Sequence, residues 1–326
     1  MKIAQLGEWK LIEWILNSIT KHENLMLPYG DDASAFRVSG AGDLVVINTD
    51  MLVGSTDIPP GMNYWQVGRK AVVMCISDLA AKGAKPAFLM FSLGLKRDMR
   101  MNEFQELIRG LNNGAREYDS YIIGGDLNEA CDLIISGTAI GFSKKIISRK
   151  GARAGDFLAV TGFFGDTAAG LKILLHELKV EEHLKKKLVN AVYMPRAHVK
   201  EGIALANSGA VTSAIDSSDG LAISLHELVK QNNIGFKIYK LPISKAAREF
   251  SVLTGIDPIE LVFYGGEEYN LVITIKRDML NKAIEAVSNV GGKLIVIGEV
   301  VEEKKVIYVE RGREVKIENR GWEHFT

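Results

Sequence analysis

The sequence is short of the features that mark many common chemistries. It has two cysteines in 326 residues, Cys75 and Cys131, and neither belongs to a Cys-x-x-Cys pair or a Cys/His array. Zinc therefore lacks its usual ligands. Both cysteines lie in apolar stretches and read as small buried hydrophobes in a reducing compartment. Of the six histidines, His22, His176, His183, His198 and His226 read as helix or surface residues, and His324 lies in a terminal motif. No charge of one sign dominates. The balance of 40 Lys+Arg against 40 Asp+Glu gives no electrostatic reason to expect nucleic acid or an anionic membrane as partner. An uninterrupted apolar run of ~18 residues is missing, so no membrane-spanning helix is expected. The opening MKIAQLGEWKLIEWIL has no basic region ahead of a long apolar run, so no secretory signal is expected and the cytoplasm is the default. There is no internal repeat. GxxxxGK[ST], GxGxxG and a kinase catalytic loop followed by DFG are absent too.

What is present is a globular balance, 47% hydrophobic and 25% charged, in a chain long enough for two domains. Leu6, Trp9, Ile12, Ile15, Leu16 and Ile19 recur at helical spacing and predict an opening amphipathic helix. After a turn at 28–32, the pattern predicts a strand at 44–48 ending on Thr49-Asp50, an apolar helix at 64–81, and a strand at 87–95. A helix at 101–119 follows, then strands at 121–126 and 132–142. The basic, glycine-containing SRKGARAGD at 148–156 suggests a boundary, dividing the chain into 1–147 and 148–326. Beyond it come a strand at 157–162, helices at 165–178 and 197–207, a strand at 211–216, and a helix from Gly220. Further strands are expected near 234–239, 270–275, 293–298 and 305–310. The turn at 161–166, TGFFGD, could face a phosphate with its backbone amides, although a plain tight turn is the commoner explanation.

The informative residues are aspartates. Any one of them has an ordinary explanation as a helix cap or turn residue. Their placement is less ordinary. Asp50, Asp126 and Asp216 are expected at strand ends, Asp31-Asp32 in a turn, and Asp219 just before a helix. Asp78 interrupts the apolar VVMCISDLAAKG, where a carboxylate needs a cation, a hydrogen-bond partner or a raised pKa. The simple alternative is a pair with Lys82, one turn on. Carboxylates brought ~4 Å apart repel by roughly 4 kcal/mol each at an effective dielectric of 20, so a cluster implies cations. Oxygen ligands without His or Cys point to Mg²⁺, which commonly shares its shell with phosphates.

The segments YGDDASAF (29–36), NTDMLV (48–53), SDLAAKGAKP (77–86), GGDL (124–127), SRKGARAGD (148–156), TGFFGDTAAGL (161–171), DSSDGL (216–221), GGEEYNL (265–271) and GWEHF (321–325) resemble, in order and spacing, the motif series of thiamine-monophosphate kinases. These belong to the aminoimidazole-ribonucleotide-synthetase-like ATP-binding superfamily. The resemblance implies an α/β (α+β) two-domain fold. Its N-terminal sheet would pack into a dimeric barrel with the same sheet of a second subunit, giving a homodimer, and the C-terminal α/β domain would complete the nucleotide and substrate site. ATP would be the phosphate donor, thiamine monophosphate the acceptor, and several Mg²⁺ ions would lie between the anions. The family's metal ligands fall on Asp31, Asn48, Thr49, Asp50, Asp78, Asp126, Asp216 and Asp219, with Asp78 and Asp126 the most critical. Its nucleotide contacts fall on Gly125, Asp126, Arg149 and Ser218, and its thiamine-side contacts on Asp57, Glu267 and Trp322.

Two positions depart from the family pattern. Asp57 stands where many members carry histidine, and Asn270 where an acid is usual. Both are expected to touch the thiamine side. Among alternatives, selenophosphate synthetase would want a reactive residue near the N-terminus, and the first 74 residues contain no Cys. A relative that dehydrates a carbamoylated C-terminal cysteine is not expected from the ending GWEHFT. Aminoimidazole ribonucleotide synthetase and a non-catalytic nucleotide sensor remain as competing readings.

Overall fold

A computed structural model describes residues 3–38 and 42–324. The first half forms α1 (Glu8–Ser18), β1 (Ser34–Arg37), β2 (Leu44–Val53), the single turn α2 (Gly54–Asp57), α3 (Tyr64–Ala81), β3 (Lys85–Leu95), α4 (Met101–Glu117), β4 (Tyr121–Glu129) and β5 (Ile134–Ser143). Its strands make one sheet in the order β1-β2-β5-β3-β4, antiparallel except where β3 pairs with β4. The second half forms β6 (Phe157–Val160), α5 (Asp166–His176), α6 (Glu182–Tyr193), α7 (Val199–Ser208), β7 (Val211–Ser217), α8 (Leu221–Asn232) and β8 (Gly235–Ile238). It continues through α9 (Lys245–Thr254), α10 (Pro258–Phe263), β9 (Asn270–Ile275), α11 (Leu280–Asn289), β10 (Ile295–Val301), β11 (Val306–Glu310) and β12 (Arg313–Lys316). A second sheet follows, in the order β12-β11-β8-β10-β6-β9-β7. No helix among the described residues is long and apolar enough to cross a membrane.

Helix α3 is the centre of the molecule. It begins with a reciprocal capping box between Asn63 and Gln66 and buries thirteen residues on nearly every side. One side packs on the first sheet and α4. Gly68 is needed there, since a Cβ would stand 2.3 Å from the Leu107 carbonyl oxygen. Another side meets α7, and Gly83 (φ +69°) ends the helix in a left-handed conformation against Ala206. The core around α3 runs on into Ala159, Ala214, Leu271 and Ile273 of the second sheet. A second core, built on Phe236, Phe250 and Phe263, fills the other face of that sheet.

Several expectations need correction. Asp50 and Asp126 do not close their strands. β2 continues to Val53 because its antiparallel ladder with β5 persists through Val53↔Ile134, and β4 continues to Glu129 beside Leu95. Asp216 does lie at its strand's end. Cys75 is buried, but Cys131 is exposed in the β4–β5 connection. The first sheet of the single chain is open, with β1 and β4 at its edges, as a sheet that pairs with a second subunit would be. Its face away from α3 carries exposed Met51, Phe88 and Met90, and β4 exposes Tyr121, Ile123 and Leu127.

Candidate active site

Three chain segments bring carboxylates together against α3. The 30–32 turn supplies Asp32, the helix itself Asp78, and the end of β7 Asp216. Each offers an oxygen within 4.8 Å of the others. At that spacing each ionised pair repels by about 3 kcal/mol at an effective dielectric of 20. The pKa values reflect this. Burial, then Asp216, Asp32 and Asp50, push Asp78 well above the carboxylate range. Burial and Asp32 raise Asp216 to about 7, against a 2.6 Å hydrogen bond from the Ser77 hydroxyl. Asp50 rises to about 6 through burial, with Asp57 adding to it, and Asp219 to about 7 through burial and Asp216.

The Asn48 amide donates to Asp78 at 2.8 Å, while its own Oδ1 is buried without a hydrogen-bond partner. An all-oxygen set of mutually repelling carboxylates beside an orphaned carbonyl oxygen fits a hard divalent cation.

Lys82 does not pair with Asp78. Its ammonium turns to Asp31 at 2.5 Å and Asp32 at 2.7 Å. Arg149 is not a free fork for phosphate either. It donates to Asp32 Oδ1 at 2.6 Å and to the Gly30 carbonyl at 2.9 Å. Burial alone would raise Asp31, but the Lys82 charge and its hydrogen bonds hold it below its ordinary value.

Asp32 and Asp78 form part of the wall of a cavity of about 890 Å³. Asp31, Thr49, Asp50, Asp57, Arg149, Ser218, Asp219, Glu267 and Trp322 also line it. Asn48 and Asp216 lie behind that wall, buried beside the liners. Gly125 and Asp126 are not part of it. Asp126 is level with Ser92, Ser136 and Met51, three strands from β2, or ~14 Å at the usual strand spacing. It is exposed, on the same face as Met51.

Glu267 holds a positive φ of 64° and pairs with Lys70, whose fully buried ammonium also donates to the Asp57 carbonyl at 2.7 Å. This joins the GGEEY segment to α2. The Asp57 carboxylate accepts from Val53 N at 2.6 Å. Trp322 is half exposed, stands edge-on to His324, and its backbone N–H donates to the Asp219 carbonyl at 3.1 Å.

One expectation about this end fails. Asn270 does not face the cavity. It is buried at the start of β9, holding the Phe163 carbonyl at 2.9 Å. The 161–166 turn is no free phosphate cradle, in keeping with the plainer reading of it as a turn. The backbone amides of Gly165 and Thr167 donate to the chain's own Glu268 at 2.7 and 3.2 Å, so the start of α5 already has its anion.

Burial, with Asp166 adding to it, raises Glu268 to about 7 from 4.5. A raised carboxyl stabilises the fold below its unfolded pKa, and that stabilisation is lost as pH climbs through the folded value. Wild-type stability should therefore fall as pH rises from about 4.5 to about 7, by on the order of 3 kcal/mol from this group, and the melting temperature should fall with it. Glu268→Gln should flatten that part of the curve. Equal slopes in the two proteins would remove Glu268 as the cause.

The sequence pointed to Asp32 only as half of a turn doublet and to Lys82 only as a partner for Asp78, and it did not single out Ser77, Lys70 or the cavity-lining face of α1, with Trp9, Ile12 and Leu16. The doublet Asp31-Asp32 and a lysine in an otherwise apolar helix were the available signals.

Comparison with known proteins places this geometry. The AIR synthase related protein family matches over residues 30–143 with its N-terminal domain and 153–310 with its C-terminal domain. The chain is thus an AIR-synthase-related protein of mixed α/β, two-domain fold. A thiamine-monophosphate kinase of Nitrosopumilus maritimus is 35% identical over 86% of this chain and 89% of that protein. One of Pyrococcus abyssi is 33% identical over 99% and 97%. The solved structure of AaThiL complexed with AMPPCP and TMP superposes with a TM-score of 0.87 at 26% identity, covering 99% of both chains. The chain belongs to the thiamine-monophosphate kinase family, whose members are phosphotransferases.

Proposed function

We propose that this chain transfers the γ-phosphate of ATP to the phosphate of thiamine monophosphate, giving thiamine diphosphate and ADP. The observation that carries the reading is the convergence of Asp32, Asp78 and Asp216 beside a cavity large enough for two ligands. Mg²⁺ held by these carboxylates, with Asn48, Asp50 and Asp219 nearby, would neutralise the phosphates and stabilise the transferring group. The carboxylates orient the reactants by fixing where that charge compensation sits. Alignment is most of what such a transfer needs. The acceptor phosphate is largely ionised at neutral pH, with its second pKa at about 6, so the transfer needs no general base. Glu267, held by Lys70, and Trp322 supply acidic and aromatic surface for the flat thiazolium cation. Asp57 anchors that end through its backbone carbonyl on Lys70.

The working form is a homodimer in the cytoplasm, formed through the open face of the first sheet. Exposed Met51, Phe88 and Met90 on that face, with Ile123 and Leu127 on edge strand β4, support this. Gly125 and Asp126 would then act from the seam between subunits.

Purified protein with ATP, Mg²⁺ and thiamine monophosphate should release ADP and thiamine diphosphate, and EDTA should abolish both. Turnover with formylglycinamidine ribonucleotide instead, and none with thiamine monophosphate, would assign the chain to synthetase chemistry.

A further inference from the structure

Asp31 was expected among the metal ligands, and its surroundings assign it another task. Its oxygens accept four hydrogen bonds. Oδ1 takes Lys82 Nζ at 2.5 Å and Asp32 N at 2.9 Å, and Oδ2 takes Ser148 Oγ at 2.8 Å and Arg149 N at 2.9 Å. An ionised carboxylate has about four acceptor sites, so this one has none left for a cation.

The ammonium that holds it is caged in turn. Lys82 Nζ meets Asp31 Oδ1, Asp32 Oδ2 at 2.7 Å and the Ala214 carbonyl oxygen at 3.0 Å. It donates hydrogen bonds to Asp31 and Ala214, while Asp32 Oδ2 meets it as an ion pair and is left without a hydrogen-bond partner. The Lys82, Asp31 and Asp32 side chains are all without solvent exposure. Two carboxylate oxygens and a backbone carbonyl are also a donor set of the type that hard divalent cations take. The cage ties together the 30–32 turn, the end of α3, the 148–149 segment and β7. Asp32 is held from both sides, by Lys82 on Oδ2 and Arg149 on Oδ1, with an oxygen still within 4.8 Å of Asp78 and Asp216.

We propose that Lys82 is a positioning residue acting as a resident cation: its ammonium fills a cation position inside the acidic cluster, fixes Asp32 toward Asp78 and Asp216, and removes Asp31 from the ligands of any bound divalent ion. This rests on the metal-assisted reading above and deepens it. A lysine serving only as packing would leave the number of bound metal ions unchanged on replacement. A resident cation would not, because its loss leaves two buried carboxylates that a divalent ion can enter.

The test counts Mn²⁺ bound per chain by electron paramagnetic resonance, with AMPPCP present, for wild type, Lys82→Met, Lys82→Arg and Asp31→Asn. Thermal midpoints are recorded in EDTA and in millimolar Mn²⁺. Lys82→Met is expected to bind about one more Mn²⁺ than wild type and to gain much more thermal stability from Mn²⁺, since the ion replaces the ammonium as the cluster's counter-charge. Lys82→Arg keeps the wild-type count. Asp31→Asn keeps the wild-type Mn²⁺ affinity. The proposal is overturned if Lys82→Met keeps the wild-type count and Mn²⁺ dependence, or if Asp31→Asn weakens Mn²⁺ by about tenfold or more, as loss of a metal-supporting group does. If Lys82→Met fails to fold in both conditions, Asp31→Asn decides alone. Wild-type protein that binds no Mn²⁺ would overturn the metal-assisted reading and this proposal with it. Normal wild-type binding with either overturning result would remove this proposal only.

Discussion

Asp78→Asn lowers the turnover number by about a thousandfold or more while the chain still unfolds in one cooperative transition. A thousandfold corresponds to about 4 kcal/mol of barrier, the scale expected when a preorganised electrostatic contact to the reacting group is lost. The substitution keeps the shape of the side chain and the link to the Asn48 amide, so α3 has no reason to unravel. Stability and activity should move in opposite directions. Asp78 is raised first by burial and then by Asp216, Asp32 and Asp50, so neutralising it relieves repulsion in the metal-free protein. The midpoint in EDTA should hold or rise as turnover collapses, a trade common at sites built for function. ADP release at saturating substrates and a circular-dichroism melt measure the two sides. A variant that turns over within tenfold of wild type would return Asp78 to a packing role.

If the proposed homodimer forms, Met90→Glu, and independently Ile123→Glu, should convert it to monomers at micromolar concentration and reduce turnover by about a hundredfold. Met90 is exposed on β3, on the face turned from α3, and Ile123 is exposed on β4. Neither supports the core of its own chain, so each monomer should still melt cooperatively. Across a dimer seam both would be buried, and an uncompensated carboxylate there costs several kcal/mol, enough to undo an interface of ordinary size. The loss of turnover follows from Gly125 and Asp126. They do not line the cavity that holds the acidic cluster, and in the proposed assembly the second copy would bring them to it. Sedimentation of wild type as a monomer, or a dimer that survives both substitutions, would sink the assembly; monomers with full activity would sink the role of the seam.

Much of the framework was legible in the residues. Helix α3 followed from a pattern apolar on most faces, and α4 from its amphipathic spacing. The long strands followed from apolar runs bounded by polar and turn residues. Some short elements were not. β1 and β12 have four residues each and include charged Arg37, Arg313, Glu314 and Lys316, whereas the equally short β6 and β8 showed through their apolar runs. α6 carries Leu184, Leu188 and Val192 on one face, but a lysine run breaks the visual pattern. Strand ends at Asp50 and Asp126 were misplaced because ladder pairing, set by the neighbouring strand, carries a strand past a polar residue.

The same division runs through the site. The sequence by itself determined that the chain is rich in placed aspartates, poor in Cys and His chemistry, and built around a carboxylate inside an apolar helix. Those are properties of residue type and local spacing. Only the tertiary structure decided which carboxylates meet. It brought Asp32 to Asp78 and Asp216, gave Asp31 wholly to hydrogen bonds, left Asp126 on an open sheet face, and turned Lys82 from its helical neighbour to two acids on a distant turn. The reason is physical. A lysine at i+4 can reach its neighbour, but Lys82 is buried at the end of α3, where Asp31, Asp32 and the Ala214 carbonyl arrive from other parts of the chain and surround its charge with two hydrogen bonds and an ion pair. Partner choice among buried charges depends on what folding delivers, and one-dimensional spacing carries no record of it.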